Sequence, residues 1–147
     1  MDTKDNELGR LYRATTFRVE SPAGIIDIRI GEKHPRIDAL LALLSATDWA
    51  YITAWNPVSQ PVSAEINAAA HAELLDLVGR CPLPFYEGDG IPDNPGWQPE
   101  RSVWIAGIER REAQQIGARF RQNAIVVGKL GGMSELLFCD LSGEGSV

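Results

Sequence analysis

Cysteine is scarce in this sequence. The 147 residues include only Cys81 and Cys139, which show neither CxxC spacing nor a nearby histidine that could complete a ligand set. Thiolate metal sites need such sets, so no metal site is predicted. A disulfide between the two cysteines stays open, but two thiols in a reducing compartment are favoured.

Long apolar runs are also lacking. No stretch approaches the roughly 18 apolar residues that a membrane-spanning helix requires. The first ten residues, MDTKDNELGR, are polar and contain no apolar segment typical of a secretory signal. These absences favour a cytoplasmic protein that does not contact a membrane.

Motifs of known chemistry are absent as well. The chain contains no HExxH, P-loop, GxGxxG or paired-carboxylate pattern, and Gly88-Asp89-Gly90 is too short for a phosphate-binding loop. No cofactor is therefore predicted. The formal net charge of −6 repels phosphate backbones, so a nucleic-acid partner is disfavoured.

What remains is an ordinary globular composition, with 44% hydrophobic and 23% charged residues. The length suits one domain. We expect a single α+β domain over residues 11–141, with flexible tails at residues 1–10 and 142–147.

Hydrophobic periodicity and turn residues divide the chain into elements. Ile66, Ala70, Leu74 and Leu77 are predicted to form the core face of one helix, which Gly79 ends. Residues 87–100, rich in glycine and proline, are predicted to form a long loop. Strands are expected at residues 11–20, 24–30, 50–55, 82–86, 102–107, 123–128 and 135–139, and helices at residues 34–44, 63–78 and 113–120.

The element order between residues 50 and 128 is β-α-β-β-α-β. With right-handed crossovers this order predicts a split (ferredoxin-like) sandwich, in which two helices cover one face of an antiparallel sheet. An N-terminal hairpin with its helix, and an extra C-terminal strand, would be additions to it.

Two sequence blocks, YITAWNP at residues 51–57 and FRQNAI at residues 120–125, accompany Asn67 and a glycine-rich loop that ends in Trp97 and Glu100. Together they resemble an uncharacterised bacterial family, domain of unknown function 3293, over most of the chain. The resemblance implies a small bacterial protein and no known activity. At a helix-start position where a serine-like N-cap is expected, the chain has Glu109. This departure weakens that N-cap and affects no predicted site residue.

The predicted topology brings polar and aromatic side chains to one rim of the sheet. The first strand ends there, the last begins there, and the long loop lies beside them. Convergence of such groups is typical of a ligand site. The predicted ligand-binding residues are Thr53, Trp55, Asn56, Asn67, Trp97, Glu100, Ser102, Gln122 and Asn123.

A structural network is the competing interpretation of this rim, because asparagine before proline commonly braces a turn. Glu100 and His71 are the candidate catalytic groups: Glu100 as a general acid or base, and His71 as a base oriented by Asn67. A partly buried structural histidine is the favoured interpretation of His71.

Strand alternation places Tyr51, Thr53, Trp55 and Trp104 on one sheet face. A covered core is the favoured interpretation, with a protein–protein or dimer surface as the alternative. Three functions follow, in order of preference. The first is a module that binds a small polar ligand or a peptide at the rim. The second is an interaction or scaffold protein that uses the aromatic face, and the third is an enzyme that uses Glu100. A homodimer stays open.

Overall fold

The computed structural model describes residues 3–142, which form an α+β structure with four helices and one sheet. The helices are α1 (Thr3–Arg13), α2 (Pro35–Leu43), α3 (Ala64–Arg80) and α4 (Arg110–Arg119), with a 3₁₀ turn at Pro57–Ser59. The strands are β1 (Thr15–Ser21), β2 (Gly24–Ile28), β3 (Asp48–Thr53), β4 (Phe85–Pro92), β5 (Glu100–Ala106), β6 (Ala124–Lys129) and β7 (Glu135–Phe138).

The seven strands form one sheet in the order β2-β1-β4-β5-β3-β6-β7, and every neighbouring pair is antiparallel. The α+β class predicted from the sequence is therefore confirmed. The predicted hairpin is present as β1 and β2, and the predicted C-terminal strand is β7, which pairs with β6.

The sheet is strongly curled. The hydroxyl of Tyr51 on β3 donates a hydrogen bond of 2.8 Å to the carbonyl of Arg18 on β1, and the rings of Phe17 and Tyr51 lie 5.4 Å apart. Strands β4 and β5 separate β1 from β3, so in a flat sheet these two strands would be about 14 Å apart. A tyrosine side chain spans this interval only because the sheet bends toward the face that carries Tyr51.

The two edge strands approach each other at one end of the sheet. The amide of Gly31, after β2, donates to the carbonyl of Ser134, before β7, at 2.9 Å. The amide of Ser134 donates in return to the carbonyl of Glu32 at 3.0 Å, and its hydroxyl donates to the carbonyl of Arg29 at 2.6 Å. These bonds give the sheet the shape of a partly closed barrel.

Each face of the sheet has its own core. Helices α3 and α4 pack on the convex face, where Leu74 and Ile116 contact strand residues such as Ile105. Helix α2 packs into the concave face, against a cluster that includes Trp49 and Trp104. The aromatic face formed by Tyr51 and Trp104 is therefore covered, as the favoured interpretation predicts.

Three element predictions are wrong. Helix α1 falls where a tail and the start of a strand were expected. Strand β4 runs on to Pro92 through the predicted loop, and Gly88 serves a close approach of strands rather than a turn. Helix α3 buries Asn67, His71, Leu74 and Val78, leaves Ile66 56% exposed, and continues through Gly79 to Arg80.

The predicted division into one domain and two tails stays a prediction. Residues 1–2 and 143–147, which belong to those tails, lie outside the described residues.

We predict that Gly88→Ala destabilises the protein by more than about 2 kcal/mol, because overpacking beside rigid backbone is costly. A Cβ atom at Gly88 would lie 1.7 Å from the carbonyl oxygen of Arg18. Gly79→Ala is the matched control: its Cβ meets nothing within 4 Å, and alanine stabilises a helix interior by about 0.5–1 kcal/mol. Urea unfolding measures both. Equal effects of the two changes would contradict the close approach of β1 and β4.

Candidate functional site

A cavity of about 460 Å³ opens at one end of the concave face, beneath helix α1. It lies where β3 ends and where β5 and β6 begin, and its volume is in the range of small-molecule sites. The lining residues are Leu8, Leu11, Tyr12, Thr15, Phe17, Tyr51, Thr53, Asn56, Ser59, Pro61, Gly90, Pro92, Trp97, Glu100, Ser102, Gln122, Ala124, Ile125 and Val126.

Helix α1 forms one wall of the cavity. Leu8, Leu11 and Tyr12 have the i, i+3, i+4 spacing that places side chains on one helix face. The hydroxyl of Tyr12 donates to the carbonyl of Ala124 on β6 at 3.2 Å. Burial raises the pKa of Tyr12, and the charge of Glu100 raises it further. The helix is thus bonded to the sheet across the cavity.

Asn56 organises the loop at the end of β3. Its side-chain oxygen accepts from the amide of Val62 at 3.2 Å and from the side chain of Asn67 at 3.0 Å, while its own amide donates to Asn67 Oδ1 at 2.9 Å. The residue has a φ of 48°, a left-handed conformation that asparagine tolerates better than most residues. Asn56 and Asn67 therefore fix the backbone beside the cavity.

Glu100, the first residue of β5, is the one carboxyl that the described side chains of residues 6–142 contribute to the lining. Its Oε2 accepts from Asn56 Nδ2 at 2.8 Å. Burial raises the pKa of this carboxyl above its usual value, and the hydrogen bond from Asn56 opposes that effect. Glu100 is held in position by the same residue that holds the loop.

A family model described as "Protein of unknown function (DUF3293)" matches residues 52–125. The match covers half of the chain and runs from the first resembling sequence block to the second. The chain belongs to this family. No curated protein and no solved structure matches the chain.

The DUF3293 match contains most of the polar wall of the cavity and excludes helix α1, β1 and β2. Asn56, Trp97, Glu100 and Gln122 fall inside it. Leu8, Leu11 and Tyr12 fall outside, so this chain closes its cavity with residues beyond the matched part.

The structure brings most of the sequence-predicted ligand residues together. Thr53, Asn56, Trp97, Glu100, Ser102 and Gln122 all line the cavity. Trp55, Asn67 and Asn123 do not. Asn67 is 4% exposed and bonds to Asn56, and Asn123 donates to Ser59 Oγ at 2.9 Å.

His71 lies on α3 and does not line the cavity. Its Nε2 is 2.8 Å from Glu87 Oε1 on β4, and its Nδ1 is buried without a partner among the described residues. The proposed pairing with Asn67 is therefore replaced by a contact with Glu87. Both facts agree with a structural role for His71.

Sequence reasoning missed the part of the wall that α1 and β1 supply. The spacing of Leu8, Leu11 and Tyr12 was a usable signal of an amphipathic helix, but the surrounding charges obscured it. Thr15 and Phe17 gave no such signal, because their contribution depends on the curl of the sheet.

Among the side chains of residues 6–142, which the structure describes, no group of three or more His, Cys, Asp or Glu could hold a metal ion. In the same part of the chain, no helix combines the length and apolar character needed to cross a membrane.

We predict that Asn56→Ala destabilises the protein by about 2–4 kcal/mol, since it removes three buried-loop hydrogen bonds and strains a left-handed residue. Asn56→Gly should recover up to about 1 kcal/mol of this loss, because glycine adopts a positive φ freely. Asn123→Ala, which removes one exposed bond, should change stability by less than about 0.5 kcal/mol. Urea unfolding of the three variants measures these values, and a neutral Asn56→Ala would refute the bracing role.

We predict that Glu100→Gln becomes more stable relative to the natural protein as pH rises. The folded-state pKa of Glu100 is raised, so the natural protein loses stability as pH rises from the usual glutamate value through the raised one. Glutamine at this position does not ionise. The urea midpoint of the variant should therefore rise relative to that of the natural protein as pH rises above the usual pKa of glutamate.

Glu73→Gln, a change of one exposed glutamate on α3, controls for the loss of a negative charge. A difference between Glu100→Gln and the natural protein that does not vary with pH would contradict the burial of this carboxyl.

Proposed function

We propose that this protein is a small-molecule binding module and that the ligand occupies the cavity beneath α1. The observation that carries the proposal is the cavity itself: about 460 Å³, with mainly apolar walls, one carboxyl and a few fixed polar groups. Such a combination is typical of ligand sites, because apolar walls give affinity and a few polar groups give orientation.

The mouth of the cavity carries an exposed aromatic ring. Trp97 is 50% exposed although it lines the cavity. A bound molecule would cover this ring, and burial of aromatic surface is a strong source of affinity. Trp97 is therefore the residue whose environment should change most on binding.

An interaction protein that uses the aromatic sheet face ranks lower. Tyr51 and Trp104 are 3% and 0% exposed, so neither ring offers surface to a partner. A peptide as the ligand of the cavity, and a homodimer formed through another surface, both stay open.

An enzyme with Glu100 as general acid or base is the second candidate. The raised pKa of Glu100 favours it, because carboxyl groups that act as general acids or bases are commonly ones whose pKa burial has raised. Acid–base chemistry commonly needs a second group, and the side chains of residues 6–142 place no histidine, cysteine or lysine in the lining. Burial also raises the pKa of Tyr12 and Tyr51, so neither phenol supplies a base. Binding therefore ranks first.

For the architecture, we propose that β3 to β6 with α3 and α4 form the split (ferredoxin-like) sandwich. The order β4-β5-β3-β6 and the packing of both helices against one sheet face support this. A bacterial origin and a cytoplasmic location are further proposals, which rest on the sequence resemblance and on the polar N-terminal residues.

A thermal-shift screen of metabolite-like compounds tests the binding function. A compound at about 100 times its dissociation constant stabilises the fold by roughly 2.7 kcal/mol, which is readily detected as a shift in Tm. Compounds that bind should change the fluorescence of Trp97. Trp97→Ala should lower their binding affinity by about tenfold, the effect of losing roughly 1.4 kcal/mol of aromatic burial.

Leu43→Ala is the matched control, because Leu43 is an apolar side chain that is 79% exposed and lies outside the cavity. It should leave the affinity of every hit unchanged. A screen without hits, or hits that are insensitive to Trp97→Ala, would refute the cavity as a binding site.

A further inference from the structure

Most hydroxyl groups around the cavity donate hydrogen bonds to backbone carbonyls. Five of the six hydroxyl side chains in the lining donate in this way: Tyr12 to Ala124 (3.2 Å), Thr15 to Leu11 (2.7 Å), Tyr51 to Arg18 (2.8 Å), Thr53 to Arg101 (2.8 Å) and Ser102 to Glu100 (2.9 Å). A carbonyl can only accept, so the hydroxyl must supply its single hydrogen. These groups keep lone pairs and have no hydrogen left to donate.

Two further polar side chains in the lining, Gln122 and Glu100, point to the same conclusion. Gln122 Nε2 donates to the carbonyls of Trp55 at 3.0 Å and Phe120 at 3.3 Å, which uses both of its hydrogens. Glu100 accepts from Asn56 through Oε2, and its Oε1 has no hydrogen-bond partner among the described residues. The cavity thus offers acceptors, with few donors.

Charge and ring content restrict the ligand further. Among residues 6–142, whose side chains the structure describes, no lysine, arginine or histidine lines the cavity, so none of these side chains would balance an anion. The net charge of the chain, −6, also favours the approach of cations. Tyr12, Phe17, Tyr51 and Trp97 supply aromatic rings, and such rings attract cations through their faces.

We infer that the cavity takes an organic ammonium compound, a primary amine protonated at neutral pH and attached to an apolar or aromatic body, with Glu100 as the partner of the ammonium group. This inference rests on the proposed function and names its ligand class. An ammonium group brings three hydrogens and one positive charge, which suits a site of free acceptors around one carboxyl.

Other head groups fit the cavity less well. A carboxylate or phosphate brings only acceptors and would meet Glu100 as a like charge. An alcohol brings one hydrogen and no charge. A trimethylated ammonium keeps the charge but has no hydrogen to donate, so it could use the rings and leaves the free oxygens unbonded. The order of affinity should therefore be primary ammonium, then trimethylated ammonium or alcohol, then carboxylate.

Isothermal titration with matched probes tests the inference. The probes share a naphthyl or a phenyl body and differ in the head group: an ethylammonium, its trimethylated form, an ethyl alcohol and an acetate. We expect the ammonium probe to bind about tenfold or more tightly than the alcohol of the same body, the size of effect that a charged hydrogen bond gives. The acetate should not bind measurably.

Glu100→Gln should remove this preference, lowering the affinity for the ammonium probe by about tenfold and that for the alcohol by less than about threefold. Glu73→Gln should change neither. Binding of the ammonium to the natural protein should strengthen as pH rises and Glu100 loses its proton, and this pH dependence should be absent in Glu100→Gln. Circular dichroism and Tm establish that each variant is folded.

The outcomes separate the inference from the proposed function. Equal affinity for ammonium and alcohol, or a preference for the acetate, overturns the ligand class and leaves the cavity a binding site. Absence of binding by every probe also overturns the inference, and the compound screen then decides whether the binding function stands. A preference for ammonium that survives in Glu100→Gln overturns the role of Glu100.

Discussion

The hydroxyl of Tyr51 reaches the carbonyl of Arg18 across two intervening strands, and most of the architecture depends on this contact. It is possible only because Gly88 has no Cβ atom, which would lie 1.7 Å from the same carbonyl oxygen. Glycine at this position lets β1 approach β4 closely, and Tyr51 then donates to the Arg18 carbonyl on the concave face. The curl of the sheet is thus fixed by one missing side chain and one hydroxyl.

The curl produces a concave face that must be filled at both ends, and the chain fills them differently. At one end α2 buries Ile37, Leu40 and Leu41 among aromatic rings. At the other end α1 covers the face without filling it, and the cavity remains. The loop after β3 borders the cavity and is held by Asn56, so the rim is rigid although it is polar. A polar network of this kind stabilises a fold only when its members are bonded, as Asn56 and Asn67 are.

Local patterns in the sequence are sufficient to predict the α+β class, the N-terminal hairpin and six of the residues that line the cavity. These features depend on neighbours along the chain or on strand ends that any antiparallel arrangement brings together. The remainder depends on long-range geometry. Its local sequence assigns Gly88 to a loop, because its role, a close approach of β1, cannot be seen within a local window. Asn67 and His71 fall in the buried stripe of α3 because each has a distant partner, Asn56 or Glu87.

The bonds that stabilise this fold also determine what the cavity can recognise. Tyr51 and Tyr12 each donate their hydroxyl hydrogen to a backbone carbonyl. The bond of Tyr51 stabilises the curl of the sheet, and the bond of Tyr12 holds α1 against β6. The oxygens they leave toward the cavity can only accept. Glu100 is likewise fixed through Oε2 by the residue that braces the loop, which leaves Oε1 for a ligand. Because the structural role consumes most of the donors, we expect the ligand to supply them, and a positively charged donor is the one that Glu100 stabilises best.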